Sequence, residues 1–305
     1  AYFYKKIKMI NKEEIQGWFE NLQENICNSI AQTDGKAVFN TDPWIRKEGG
    51  GGKTRILQNG NILEKAGVAF SAVYGPTPEK ILEALHLSNA DFFATGVSIV
   101  MHPKSPMVPI IHMNVRYFEM SNGTWWFGGG IDLTPHYVVE EDAKYFHRVL
   151  KNVCDNHDSS YYEAFKKWAD DYFFIKHRNE TRGIGGIFFD RLAANDGFTK
   201  EQRWEFVKEV GESFAPIYSH LMKKNAAIAF TEKEKEWQKI RRGRYVEFNL
   251  VYDKGTKFGL DTNGRTESIL MSLPPLAAWE YNHEVLPGSP EEKTLSYLKK
   301  GINWA

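Results

Sequence analysis

The chain has 305 residues with 39 Lys and Arg against 39 Asp and Glu, so its formal net charge is zero and no global field recruits nucleic acid or an anionic membrane. A hydrophobic share of 42% and an aromatic share of 14% exclude a disordered chain. No run approaches the roughly 18 apolar residues of a membrane span, residues 1–10 lack the apolar core of a secretory signal, and the expectation is a soluble, cytoplasmic protein.

No period repeats and no low-complexity linker interrupts the pattern, which predicts one domain over residues 1–305. Asn11 followed three residues later by Glu14 reads as a capping box, and Ile15, Trp18, Phe19, Leu22 and Ile26 then recur at helical spacing. Gly49-Gly50-Gly51-Gly52-Lys53-Thr54 ends like a phosphate-binding loop, yet Lys47 stands where that pattern needs its first glycine and no apolar strand precedes it. Two readings stay open for the four glycines: a flexible lid folding over an anion with Lys53 and Arg55, or a surface connection. Period-two patterning predicts strands at 66–74, 95–102, 110–119 and 124–132, with a short helix from Thr77-Pro78 to about Leu87. Helical spacing follows at 139–154, 161–178, 200–224 and 231–241, the last capped by Thr231 and Glu234. Alternation returns at 245–252, 256–261 and 266–273, joined by the turn-forming Asp253-Lys254-Gly255 and Asn263-Gly264. Strands that cluster rather than alternate strictly with helices point to an α+β fold with a mainly antiparallel sheet.

Side chains alternate across a strand, so three of these strands put polar groups on one face. Ser98, Val100 and His102 share a side of the first, His112, Asn114 and Arg116 a side of the second, and Trp126, Gly128, Gly130 and Asp132 a side of the third. A solvent-facing strand carries Lys, Glu and Thr, whereas this set, with glycines leaving room for a flat ligand, suits a cleft. His102, His112, His147 and His177 also raise a metal site, although no His-x-x-x-His pair sits on a predicted helix. Arg241-Arg242-Gly243-Arg244-Tyr245 reads either as a site for nucleic acid or a carboxylate-rich ligand, or as a helix C-terminus ended by Gly243, where cations suit the dipole. Cys27 and Cys154 are too few and too far apart for a disulfide framework or an iron–sulfur cluster, which wants about four thiolates.

Longer blocks carry a resemblance. Thr95 to Ser98, His112 to Phe118, Trp125 to Pro135, Lys167 to Phe174, His177 to Glu180, Arg182 to Gly186, Arg241 to Asn249 and Gly264 to Ser272 resemble the oxygen-dependent coproporphyrinogen III oxidase family of haem biosynthesis. The resemblance implies an oxidoreductase that converts two propionates of coproporphyrinogen III to vinyls, giving protoporphyrinogen IX. Dioxygen is the implied co-substrate, with no organic cofactor, and the implied assembly is a homodimer on a large antiparallel sheet with helices on both faces. Carried onto this sequence, the family's substrate contacts fall on Ser98, Asn114, Val115, Arg116, Asn263, Gly264 and Arg265. Its proton donor falls on His112, its aspartate facing the pyrrole nitrogens on Asp132, and its divalent-metal positions on His102, His112, His147 and His177. Dimerisation falls on His177 and on a segment from Tyr245 to about Glu280 that opens with Tyr245, Val246, Glu247, Phe248 and Asn249. The chemistry agrees with the assignment, because propionates call for the planar, bidentate fork of arginine.

Overall fold

The structure, a computed structural model, describes every residue except 1–9, 78, 80–81, 83–89, 195–196 and 263. Most of the helix expected from Thr77-Pro78 to Leu87 lies outside the described residues. The frame is a meander of six strands: β1 (Asn40–Ile45), β2 (Gly50–Gln58), β3 (Leu63–Pro76), β4 (Asp91–Pro103), β5 (Ile110–Met120) and β6 (Trp125–Thr134). A short two-stranded ladder, β7 (Phe174–Ile175) with β8 (Glu180–Thr181), precedes β9 (Gly186–Leu192), which returns beside β6 to complete a seven-stranded antiparallel sheet. The fold class is therefore the α+β one expected.

Alternation along the central strands dictates where the core sits. Val97, Ile99 and Met101 of β4, with Ile111, Met113 and Val115 of β5, are completely buried. They pack under α1 (Lys12–Asp34), α2 (Glu140–Asp155) and α4 (Lys200–Asn225), while α3 (Tyr161–Tyr172) closes the β9 edge. Helix α1 starts as its sequence dictates: the Asn11 side chain accepts from Glu14 N–H at 2.8 Å, and the Glu14 carboxylate accepts from Asn11 N–H at 3.3 Å. One end of the opposite sheet face is covered by α5 (Glu232–Val251), whose Tyr245 packs on Val100 and Ile110. Short helices α6 (Lys254–Asp261) and α7 (Thr266–Leu270) follow, and α8 (Pro290–Tyr297) lies near the C-terminus.

Several expectations are corrected. The segments 245–252, 256–261 and 266–273 are helical rather than extended, since α5 runs unbroken to Val251 and is followed by α6 and α7. Tyr245, Phe248 and Asn249 face inward at helical spacing, continuing the stripe begun by Trp237, Ile240 and Arg241. Gly243 ends nothing; it sits inside α5, where a Cβ would stand 2.5 Å from the Ala278 carbonyl oxygen. Asp253 is the N-cap of α6, accepting from Thr256 N–H at 2.7 Å, so the expected turn is a helix-to-helix corner. The helix expected over 161–178 stops at Tyr172. The glycine quartet is neither lid nor simple connection, for Gly50 to Gly52 begin β2 and Gly50, at φ +83°, lies where a Cβ would meet the Ala72 carbonyl oxygen at 2.2 Å.

Candidate active site

Antiparallel partners share a face, so the register writes rows of residues across the side of the sheet opposite the core. One row runs Thr54, Ala69, Ser98, Asn114 and Gly130; the next runs Trp44, Gly52, Ser71, Gly96, Arg116 and Gly128; a third holds Ile56, Gly67, Val100, His112 and Asp132. Ala69, Ser71, Ala94 and Ser98 are small and only half-buried, which leaves a shallow open floor on β3 and β4. Ser98, Asn114, Arg116, His112 and Asp132 thus share one face, as expected. Val115 is the exception: its side chain is 0% exposed in the core on the other face.

Glycine on β6 does something other than leave the floor bare. A Cβ at Gly128 would stand 2.6 Å from Asp190 Oδ1 and 2.8 Å from Arg116 Nε, and one at Gly130 would stand 3.2 Å from the Phe188 ring. These glycines seat the Arg116 guanidinium and the Phe188 ring against backbone. Arg116 donates to Asn114 Oδ1 at 2.6 Å and to Asp190 Oδ1 at 2.8 Å, and its side chain stays 37% exposed. On the other flank, Arg265 ion-pairs with Asp42 of β1 and donates to Ser268 Oγ at 3.0 Å, with its side chain 28% exposed. Gly264 precedes it, and Asn263 lies outside the described residues.

At the end of the face nearest α5, His112 Nδ1 donates to Asp132 Oδ1 at 2.8 Å. An ionised carboxylate only accepts, so the proton of neutral His112 sits on Nδ1 and Nε2 carries the lone pair. Asp132 is 1% exposed and also accepts from Arg182, through Nη2 at 2.8 Å to both oxygens and Nε at 3.2 Å. Burial alone would raise the Asp132 carboxyl, but the Arg182 charge and the hydrogen bonds from His112 and Arg182 outweigh it and hold it below its ordinary value. Arg182 is itself buried, stacked 4.4 Å from the Phe173 ring, 4.7 Å from Tyr245 and 4.8 Å from Phe248, and it donates to Asn249 Oδ1 at 2.8 Å. The Asp132 oxygens expected to meet pyrrole nitrogens are engaged by His112 and Arg182, and the half-exposed His112 ring is what the face presents.

The four candidate metal histidines do not meet. His102 is buried with Nε2 on the Ser272 carbonyl at 2.8 Å, and His147 has both ring nitrogens engaged, by Tyr162 and the Ile184 carbonyl at 2.9 Å each. His177 bonds Tyr252 at 2.8 Å and Glu247 at 2.7 Å. Among the described residues no three His, Cys, Asp or Glu side chains are grouped as one ion requires, so these residues do not fit a shared metal. Burial pushes His147 down to about 3 and His102 well below the ordinary imidazole value.

The expected dimerisation residues also divide. Tyr245, Phe248 and Asn249 point inward around Arg182 and are at most 4% exposed, while Val246, Glu247 and His177 stay partly open. The basic cluster is internal too, with Arg241 on Glu180 at 2.8 Å and Arg242 on Glu64 at 2.7 Å, which leaves neither for nucleic acid. Sequence reasoning passed over Arg182 and Asp190; the signal for the first was a lone cation in the otherwise uncharged run Arg182-Gly183-Ile184-Gly185-Gly186. A cavity of about 620 Å³ lies between α1 and α4 on the far side of the sheet and holds none of this chemistry.

The sequence profile described as coproporphyrinogen III oxidase matches residues 14–304. The chain belongs to that family. It is 51% identical over 296 residues to a mouse protein named oxygen-dependent coproporphyrinogen-III oxidase, mitochondrial, covering 92% of this chain and 66% of the relative. It is 50% identical over 297 residues to the Arabidopsis thaliana coproporphyrinogen-III oxidase 1, chloroplastic, covering 92% and 76%. With the oxygen-dependent coproporphyrinogen-III oxidase of Prochlorococcus marinus (strain MIT 9312) it shares 44% over 318 residues, covering 96% and 93%. The chain thus spans about two thirds of the mouse relative's length. The cytoplasmic expectation finds no support in relatives named mitochondrial and chloroplastic, and among the described residues no helix is long and apolar enough to cross a membrane.

Proposed function

We propose that this chain catalyses oxygen-dependent oxidative decarboxylation of two propionates of coproporphyrinogen III to vinyls, giving protoporphyrinogen IX. The observation that carries this reading, in a chain of this family, is one open sheet face with a small-residue floor, arginine forks at both flanks and a His112–Asp132 couple at its end. Each fork suits a carboxylate held bidentately, and the floor admits a flat ring. Ser98 and Asn114 add neutral hydrogen-bonding groups beside it, and Gly264 lies next to the Arg265 fork. For each propionate, one carbon dioxide, one proton and two electrons leave, and dioxygen takes the electrons. His112 Nε2 accepts that proton, and Asp132, kept anionic by Arg182, stabilises the imidazolium so formed.

The test is incubation of the purified chain with coproporphyrinogen III in air and under argon, followed by oxidation of the products to fluorescent porphyrins. A dicarboxylate porphyrin in air, with two molecules of carbon dioxide for each ring and none under argon, is expected. A tetracarboxylate left unchanged in air overturns the reading.

A further inference from the structure

The glycine quartet and the hairpin it helps to form took no part in the site expected from the sequence. β1 is an edge strand, and its Asp42 and Trp44 pair with Thr54 and Gly52, so both lie on the same face as Ser71 and Arg116. A Cβ at Gly52 would stand 2.6 Å from Cζ2 and 2.8 Å from Cε2 of Trp44, so the half-buried indole rests directly on the Gly52 backbone. Two residues on, Arg46 donates to the Tyr74 carbonyl at 3.0 Å and holds its guanidinium 5.7 Å from the centroid of Phe92. That ring belongs to the open face, stacked 6.0 Å from Phe118. The Arg46 side chain is 30% exposed, with Glu48 at 3.6 Å as its nearest anion. Asp42 of the same hairpin already anchors Arg265.

The indole, seated on β2, therefore stands across the floor from Arg116, and the Arg46 guanidinium closes the end of the floor over Phe92 of β4. From β2 to β5 is three strand spacings, about 14 Å at roughly 4.8 Å each, a span that suits a flat macrocycle with acidic arms. The glycines fit this placement, because Gly52 gives the indole its seat and Gly49 and Gly50, at φ +132° and +83°, form the tight end that brings Arg46 round.

We infer that the β1–β2 hairpin is a wall of the substrate site, in which Trp44 packs against the macrocycle edge and Arg46 takes one carboxylate. This rests on the proposed function. Its test is equilibrium titration of the full chain with coproporphyrin III, the stable oxidised tetracarboxylate, for the parent, Arg46→Gln, Trp44→Ala and Trp44→Phe, with melting temperatures alongside. Arg46→Gln should weaken binding about tenfold at low salt, and the loss should shrink as salt rises because a charge pair is screened. Trp44→Ala should weaken it about fivefold at every salt concentration, and Trp44→Phe, which keeps a ring on Gly52, should recover most of that. If Trp44→Ala lowers the melting temperature, the salt response of Arg46→Gln decides. Parental binding by Arg46→Gln and Trp44→Ala overturns the hairpin's role alone, whereas a parent that neither binds coproporphyrin III nor converts coproporphyrinogen III in air overturns the functional reading and this inference with it.

Discussion

Asp132 accepts one hydrogen bond from His112 and three from Arg182, which fills the roughly four lone-pair positions of a carboxylate. Its effect on substrate must then pass through His112. In Asp132→Asn the amide oxygen takes the Oδ2 position, where Arg182 donates through both Nε and Nη2, because an NH2 group there would face two donors. The NH2 then faces His112 Nδ1 and forces the proton onto Nε2, which can no longer accept. A kcat loss of about a hundredfold or more is expected in steady-state kinetics. The variant also leaves Arg182 buried without its anion, at a cost of about 3–5 kcal/mol. Because the Asp132 carboxyl is depressed below its ordinary 3.8, its stabilising contribution is present above that pH and is lost as pH falls through the folded-state value. Asp132→Asn should accordingly melt lower than the parent at neutral pH and approach it in strong acid. Parental kcat with parental melting would remove Asp132 from both roles.

Among the elements, the four long central strands and the first helix were legible because each obeys a single period and buries one clean face. Helix α5 was not, past residue 241, since Tyr245-Val246-Glu247-Phe248-Asn249-Leu250-Val251-Tyr252 alternates well enough to pass for a strand. What decides for helix is tertiary: Tyr245, Phe248 and Asn249 each contact Arg182, an arrangement no local pattern announces. Strands β1 and β2 were hidden by proline and glycine, which propensity removes from sheets but which an edge hairpin tolerates. Gly243 offers a test of the same point. Helix propensity favours Ala over Gly by about 1 kcal/mol in a helix interior, yet here the added methyl meets the Ala278 carbonyl at 2.5 Å and the Trp279 ring at 3.3 Å. Gly243→Ala should therefore destabilise, by about 1–3 kcal/mol in urea unfolding. A gain in stability would show that the segment around Ala278 yields freely and does not pin α5.

For the whole molecule, the inward turn of Tyr245, Phe248 and Asn249 changes what a dimer built on this region must use. Those side chains are occupied within the chain, but the end of α5 and α6 expose Leu250, Val251, Phe258 and Leu260 at 44%, 48%, 50% and 41%. Four apolar side chains within eleven residues are more than scattered surface hydrophobics require, and such patches mark interaction sites. A second copy packed there would meet its own equivalent surface across a two-fold axis, the commonest arrangement of homo-oligomers. It would also press on α5 from outside while Arg182 holds it from within, and assembly would then be linked to the His112–Asp132 couple. Sedimentation of the purified chain should give about twice the 35.1 kDa of one copy, and Leu250→Glu with Phe258→Glu should shift it to a single copy. Charges on an exposed face leave the core of each copy intact, so the monomer should keep its far-ultraviolet dichroism but lose turnover by more than it loses coproporphyrin III binding. A parent that sediments as one copy at micromolar concentration rules the assembly out, and a variant that remains paired moves the interface elsewhere.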